Sequence, residues 1–134
     1  MTTPRIELRH VSKTFSGIDN DVPALEDVSF KIMPGEFATI IGVSGSGKST
    51  LFNLCVGLLE PDEGEILIDG ERPENRAGMV GYMPQRDLLL PWRNVLGNVL
   101  IPLEIQGIPQ RESRQKAIEM LPHFGLETFE NEYP

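Results

Sequence analysis

The sequence has a single cysteine, Cys55, so it can form neither an internal disulfide nor a thiolate metal cluster. That fits a reducing compartment. Histidine is nearly as scarce, with only His10 and His123. Long apolar runs are missing too. The most apolar stretch, residues 95–103, is too short to span a bilayer and contains Asn98 and Pro102. The first ten residues lack the apolar core of a signal peptide. A cytosolic chain is therefore expected, with any membrane contact made through a partner. Basic residues are the minority: 12 Lys and Arg face 20 Asp and Glu, for a net charge of −8, and such a field repels nucleic acid and anionic lipid. The basic cluster Arg111, Arg114 and Lys116 is interleaved with Glu112 and Glu119, as on a solvated helix face. No nucleic-acid partner is expected.

What is present is the composition of a folded chain, with 40% hydrophobic and 24% charged residues over a length of 134, enough for one domain or part of one. Ile6 and Leu8 alternate with charged neighbours, and Val28, Phe30 and Ile32 alternate with Ser29 and Lys31, predicting two half-buried strands. Residues 16–23 between them, rich in Gly, Asp, Asn and Pro, read as an exposed loop. After the turn dipeptide Pro34-Gly35, the run Phe37-Ala38-Thr39-Ile40-Ile41 predicts a strand buried on both faces. Leu51, Leu54, Cys55 and Leu58 then recur at helical spacing and predict one amphipathic helix packed on the sheet. Two turns, Pro61-Asp62-Glu63-Gly64 and Asp69-Gly70, flank a short strand over 65–68. Residues 79–83 predict another strand, 95–103 a helix disturbed at Pro102, and 110–121 a helix with Ala117, Ile118 and Leu121 on one face. Nothing in the text after that helix reads as a closing element.

Between the predicted central strand and helix lies Gly42-Val43-Ser44-Gly45-Ser46-Gly47-Lys48-Ser49, which matches G-x-x-x-x-G-K-[ST] at every fixed position. Gly45 and Gly47 can take backbone angles closed to other residues, so that successive N–H groups converge on phosphate oxygens. The helix that follows points its positive end at the same anion. Lys48 would reach the β and γ phosphates of a nucleotide, and the Ser49 hydroxyl would be a hard-oxygen ligand for Mg²⁺. Strand, glycine loop and helix are the context this chemistry needs, whereas a chance match in a mobile loop would have neither flank.

The wider pattern chooses among nucleotide-binding families. Residues 40–51, followed by Gly57-Leu58 and Pro61-Asp62-Glu63-Gly64-Glu65-Ile66, resemble the nucleotide-binding domain of ABC transporters. Tyr82-Met83-Pro84-Gln85 is similar to that family's Q-loop, and Leu88-Leu89-Leu90-Pro91-Trp92-Arg93-Asn94-Val95 with Asn98-Val99 resembles its nitrate, sulfonate and taurine importer branch. The resemblance covers nearly the whole chain. It implies an α/β fold: the P-loop core of an ABC-type ATPase with an antiparallel β subdomain, stopping before the signature helix and the Walker B strand. Residues 1–134 would be the N-terminal part of one such domain, with the phosphate loop at 42–49 and the Q-loop region at 82–95.

The same resemblance implies roles for particular residues. Gly42, Ser44, Gly45, Ser46, Gly47, Lys48, Ser49 and Thr50 would hold ATP, Ser49 and Gln85 would meet Mg²⁺, and Lys48 and Gln85 would serve catalysis. Phe15 matches the aromatic residue that stacks on adenine, against the plainer reading of a core anchor. The segment opening at Leu88 and closing at Asn98 would face a transmembrane permease subunit, although its Leu and Trp could equally pack locally. A second ATPase subunit, and indirectly a periplasmic or extracellular solute-binding protein, complete the implied assembly on the inner face of the cell membrane. Asp69 imitates a Walker B carboxylate, but Asp69-Gly70 is a strong hairpin turn and is read as one. The Leu-Ser-Gly-Gly signature, the Walker B aspartate with its catalytic glutamate, and the switch histidine do not occur here. The chain is accordingly expected to bind nucleotide without appreciable hydrolysis. The open alternatives are a binding module without turnover and another P-loop NTPase, the latter disfavoured because the guanine-reading Asn-Lys-x-Asp is missing.

Overall fold

A computed structural model describes residues 2–17 and 20–134, which form two compact units, Met1–Met83 and Pro84–Pro134. In the first unit, strands β1 (Ile6–Phe15), β2 (Val22–Ile32) and β3 (Glu63–Ile68) make an antiparallel sheet in the order β2-β1-β3. Helix α1 (Lys48–Cys55) packs on it. The core joins Leu8, Val11 and Leu25 of the sheet to Leu51, Leu54 and Cys55 of α1 and Ile66 of β3. Each leucine withdrawn from water in this way contributes about 2 kcal/mol.

Leu8 and Val11 are both fully buried although three residues apart, a spacing that strict strand alternation forbids. A bulge resolves it. Leu8 pairs with Phe30 and Val11 with Val28, so β1 carries one residue more than β2 across this step. His10 and Asp27 take the left-handed backbone angles that the irregularity demands, with φ of 51° and 49°. Gly64 of β3 lies against the bulge, and a Cβ there would overlap the carbonyls of Arg9 and His10. Asp69 and Gly70, with φ of 52° and 84°, close a tight turn in which Ile68 and Glu71 exchange backbone hydrogen bonds of 2.9 and 3.0 Å. The Asp69 carboxylate pairs with Arg5 at 2.7 Å, as a turn residue and not a catalytic one.

Several expectations need correction. Residues 37–41 form no strand, and Phe37 and Ile41 are almost fully exposed. A central strand needs a hydrogen-bonding partner along its edge. Among the described residues none pairs with this run, so its β-forming side chains have no sheet to join. Residues 79–83 likewise form no strand, for the same want of a paired neighbour, and Met79 and Met83 are exposed. Leu58 lies beyond α1, because Gly57 at φ 79° turns the chain out of the helix, and it faces solvent. The loop predicted over 16–23 is shorter, because Val22 and Pro23 pair with Phe15 and Thr14 in the sheet; Ile18 and Asp19 of that loop fall outside the described residues.

The second unit packs helix α2 (Val95–Ile105) against α3 (Gln110–Met120) and a single 3₁₀ turn (Leu121–Phe124), burying Leu96, Leu100, Ala117 and Leu121 together. Pro102 does not end α2, which continues to Ile105. Ser113, not Ile118, completes the buried face of α3, its hydroxyl donating to the Ile108 carbonyl at 3.1 Å while Ile118 stays exposed. The tail does close on the unit: the carbonyls of Glu132 and Glu130 accept the amides of Val95 and Leu96 at 2.8 and 3.0 Å. They thereby satisfy orphan donors in the first turn of α2.

Candidate functional site

The loop 42–49 is shaped by its glycines and closed by its lysine. Gly47, at φ 81°, is the residue ahead of α1, and a Cβ on it would run into the Ala24 carbonyl and the Leu25 side chain. Only glycine lets the loop approach β2 this closely. Gly45 has the same φ, but a Cβ there would meet nothing within 4 Å, since it faces open space above the loop. Between them the Ser46 amide donates to the Val43 carbonyl at 3.3 Å, folding the loop back on itself.

The Lys48 ammonium spends its donors inside this fold, on the carbonyls of Gly42 at 2.8 Å and Val43 at 2.6 Å and on Ser46 Oγ at 3.2 Å. A positive charge is thus fixed at the loop without any carboxylate partner among the described residues. The start of α1 is left equally bare. No side chain caps it and no acidic residue lies in its first turn. The first intrahelical bond runs from the Leu51 amide to the Gly47 carbonyl at 2.9 Å, so the amides of Lys48, Ser49 and Thr50 have no acceptor within the helix. In α2, by contrast, Asn94 caps the Gly97 amide at 2.8 Å. Amides without a helical acceptor, a helix dipole and a fixed ammonium all favour a polyanion at one place. Ser49 is exposed in the first turn of α1, Ser44 lies in the exposed turn, and Thr50 is half-buried.

A model of the ABC transporter family matches residues 25–134. The chain belongs to the ABC transporter ATP-binding family. Its relatives include the formylaminopyrimidine import ATP-binding protein ThiZ of Halalkalibacterium halodurans, 45% identical over 84% of this chain and 43% of the relative. Another is the taurine import ATP-binding protein TauB of Pseudomonas putida, 39% identical over 92% of this chain and 47% of the relative. The dimeric post-hydrolysis state of the ATP-binding cassette MJ0796 bound to ADP and Pi superposes with a TM-score of 0.81 at 33% identity, covering 96% of this chain and 61% of that one. The fold is that of an ABC ATPase cassette. The chain spans about half the length of the curated relatives it matches.

Within the family's pattern, the structure brings Gly42, Ser44, Gly45, Ser46, Gly47, Lys48, Ser49 and Thr50 together as one loop and helix start. Phe15 is the last residue of β1, 41% exposed, with the Lys13 ammonium 6.0 Å from the ring centre, so it is not a core anchor. Gln85 lies on an exposed bend near the start of the second unit. Leu88, Leu89 and Trp92 are exposed there and not packed locally. Among the described residues no group of three His, Cys, Asp or Glu side chains could hold a metal ion, and no helix is long and apolar enough to cross a membrane.

One residue of this neighbourhood escaped the sequence reading. Arg76 is only 4% exposed, and its guanidinium donates to the carbonyls of Leu54 at 3.2 Å and Leu59 at 3.1 Å while pairing with Glu60 at 2.9 Å. It is a cation at the C-terminal end of the helix whose N-terminal end opens on the phosphate loop. Gly57 makes room for it, since a Cβ there would fall 2.8 Å from Arg76 Cβ. The only signal in the text was an arginine just upstream of an apolar run, and periodicity does not mark such a residue as buried.

Proposed function

We propose that this chain is the ATP-holding part of the energy-coupling subunit of an ABC importer. The observation that carries the reading is the pairing of an uncapped α1 start with the Lys48 ammonium on the same glycine loop, a site with three amides that have no acceptor within the helix, a fixed positive charge and, among the described residues, no carboxylate partner. The amides of the loop and first helical turn would cradle the β and γ phosphates, with Lys48 exchanging its bonds to loop carbonyls for bonds to phosphate oxygen. The exposed Ser49 hydroxyl fits a hard-cation ligand, and Gln85 would supply a second contact from the Q-loop. Mg²⁺, when bound, neutralises charge on the phosphates. The exposed Phe15 ring, at the end of a strand, is suited to stack on a flat base.

The importer branch we infer is that of nitrate, sulfonate and taurine, supported by the 88–99 run and by the likeness to a taurine import protein. The likeness to a formylaminopyrimidine import protein as well fits a subunit whose partners, and not itself, read the substrate. The permease would dock on residues 88–98, a second ATPase subunit would pair with this one, in keeping with the dimeric neighbour, and a solute-binding protein would act indirectly. The complex would place this chain peripherally on the cytoplasmic face of the membrane. Residues 1–134 would be the N-terminal part of one ATPase domain and by themselves bind without appreciable turnover, because a cradle alone does not orient the attacking water.

A titration with Mg-ATP tests the reading. Lys48→Ala is expected to abolish tight binding while leaving the melting temperature nearly unchanged, and unchanged affinity would sink the site. Phosphate release by the purified chain is expected to equal that of Lys48→Ala, and steady release above it would overturn the absence of turnover.

A further inference from the structure

One side chain in the second unit is bonded with unusual completeness to a single short stretch of backbone. The Asn98 carbonyl Oδ1 accepts the Leu90 amide at 2.7 Å. Its Nδ2 group donates to the carbonyls of Arg93 at 2.9 Å, Asn94 at 3.1 Å and Leu90 at 3.2 Å. The carbonyl and both N–H donors, one of them shared between two carbonyls, are thus all engaged. The stretch is also closed by its own turn, from the Arg93 amide to the Leu90 carbonyl at 3.0 Å. Asn98 itself belongs to α2, where its amide donates to Asn94 at 2.9 Å, so the side chain fastens residues 90–94 to a rigid helix.

What this backbone presents is apolar. Trp92, held between two of the clamped residues, is 71% exposed, and Leu88 just ahead is 76% exposed. A loop shaped only for solubility needs neither an apolar display nor a fixed backbone, whereas a preformed contact surface needs both, since ordering it in advance removes part of the entropic cost of binding. Helix propensity gives Asn98 no other reason to be there, because asparagine is a poor helix former and alanine would serve α2 better. Aspartate would keep the acceptor for Leu90 but set a carboxylate against three carbonyls. The bonding requires a short side chain carrying both an acceptor and a donor pair.

We propose that Asn98 is a positioning residue that holds residues 90–94 in a preformed, partner-ready shape. The proposal rests on the reading of residues 88–98 as the permease-facing surface. The clamp can nonetheless be measured in the chain alone, so that failure of either idea leaves the other testable.

Trp92 is the only tryptophan in the sequence, which makes its fluorescence a local reporter. In the full chain, Asn98→Ala is expected to lower the Trp92 anisotropy, while the far-UV helix signal stays the same or rises with the better helix former. A role confined to helix stability would not move the tryptophan in that direction. Unchanged anisotropy would overturn the clamp. Should the variant fail to fold, hydrogen exchange in the unsubstituted chain decides: the Leu90 amide is expected to exchange on the order of tenfold or more slowly than an unstructured amide, and exchange at the unstructured rate would overturn the proposal.

Discussion

The carbonyl oxygen of Ala24 stands where a Cβ on Gly47 would have to go. Gly45, two residues earlier and at the same φ of 81°, meets nothing there. The two glycines of the loop therefore differ in what replacement costs. Gly45→Ala adds only left-handed backbone strain, about 1 kcal/mol. Gly47→Ala adds that strain and a backbone overlap that separates β2 from the start of α1, so a loss of roughly 3 kcal/mol or more is expected. Chemical denaturation of both variants checks it, and equal midpoints would show that the close approach of loop and strand is not what selects glycine at 47.

Arg76 and Glu60 form an ion pair in which one partner is buried and the other is two-thirds exposed. Their removal should be unequal. Glu60→Gln gives up a largely solvated carboxylate and is expected to cost under about 1 kcal/mol. Arg76→Ala strands the Leu54 and Leu59 carbonyls and deletes a buried stem, for an expected loss of about 2–4 kcal/mol. Urea melts of the two single variants decide, and a Glu60 loss as large as that of Arg76 would mean that the charge pair, not the carbonyl bonding, secures the end of α1.

How far the text alone reached follows from the range of the forces involved. The phosphate loop was legible because its glycines, lysine and serine answer to backbone geometry and a ligand within eight consecutive residues. The two strands around Ile6–Leu8 and Val28–Ile32, and the Asp69-Gly70 turn, were legible because alternation and positive φ are local demands, though neither strand's full length was, since the ends near Phe15 and Val22 read as loop. Residues 37–41 misled, since a run of β-formers shows readiness to join a sheet but not that a partner is present. The bulge at His10, the burial of Arg76 and the fourfold bonding of Asn98 were illegible for one shared reason. Each depends on partners that no periodicity in the chain encodes, such as Leu54 for Arg76, Leu90 for Asn98 and the pairing of β1 with β2 for the bulge.

Asp62 gives the first unit an acid-sensitive contact. Its carboxylate accepts the Lys13 ammonium and the Thr14 amide, both at 2.7 Å, and the Lys13 bond followed by the Thr14 bond holds its pKa below the usual aspartate value of 3.8. A folded-state pKa below the unfolded one means stability that is present above 3.8 and is lost as pH falls through the lower, folded value. Asp62→Asn is therefore expected to melt below the parent at pH 6, with the gap closing only once the pH drops beneath 3.8. Melting curves of both proteins across that range measure it. A gap that persists undiminished at the acid end would show that the amide loses something other than charge.

Cys55, the last residue of α1, faces the core, and burial pushes its thiol up to about 11, against a smaller opposing pull from Arg76. At pH 8 roughly one thiol in a thousand is then ionised in the folded state, and the sulfur is shielded as well. Reaction with an aromatic disulfide reagent should wait for α1 to separate from the sheet. Because α1 begins at the phosphate loop, a ligand held there would oppose that separation by the linkage between binding and opening, about 2.7 kcal/mol at a hundredfold excess over Kd. Labelling is thus expected to slow by about a hundredfold under saturating Mg-ATP at that excess, and to lose this response in Lys48→Ala. Arg76→Ala should accelerate the ligand-free reaction by releasing the far end of the same helix. A labelling rate that matches a free thiol, or one indifferent to nucleotide in the parent chain, would break the link between the loop, the helix and the core on which the binding site depends.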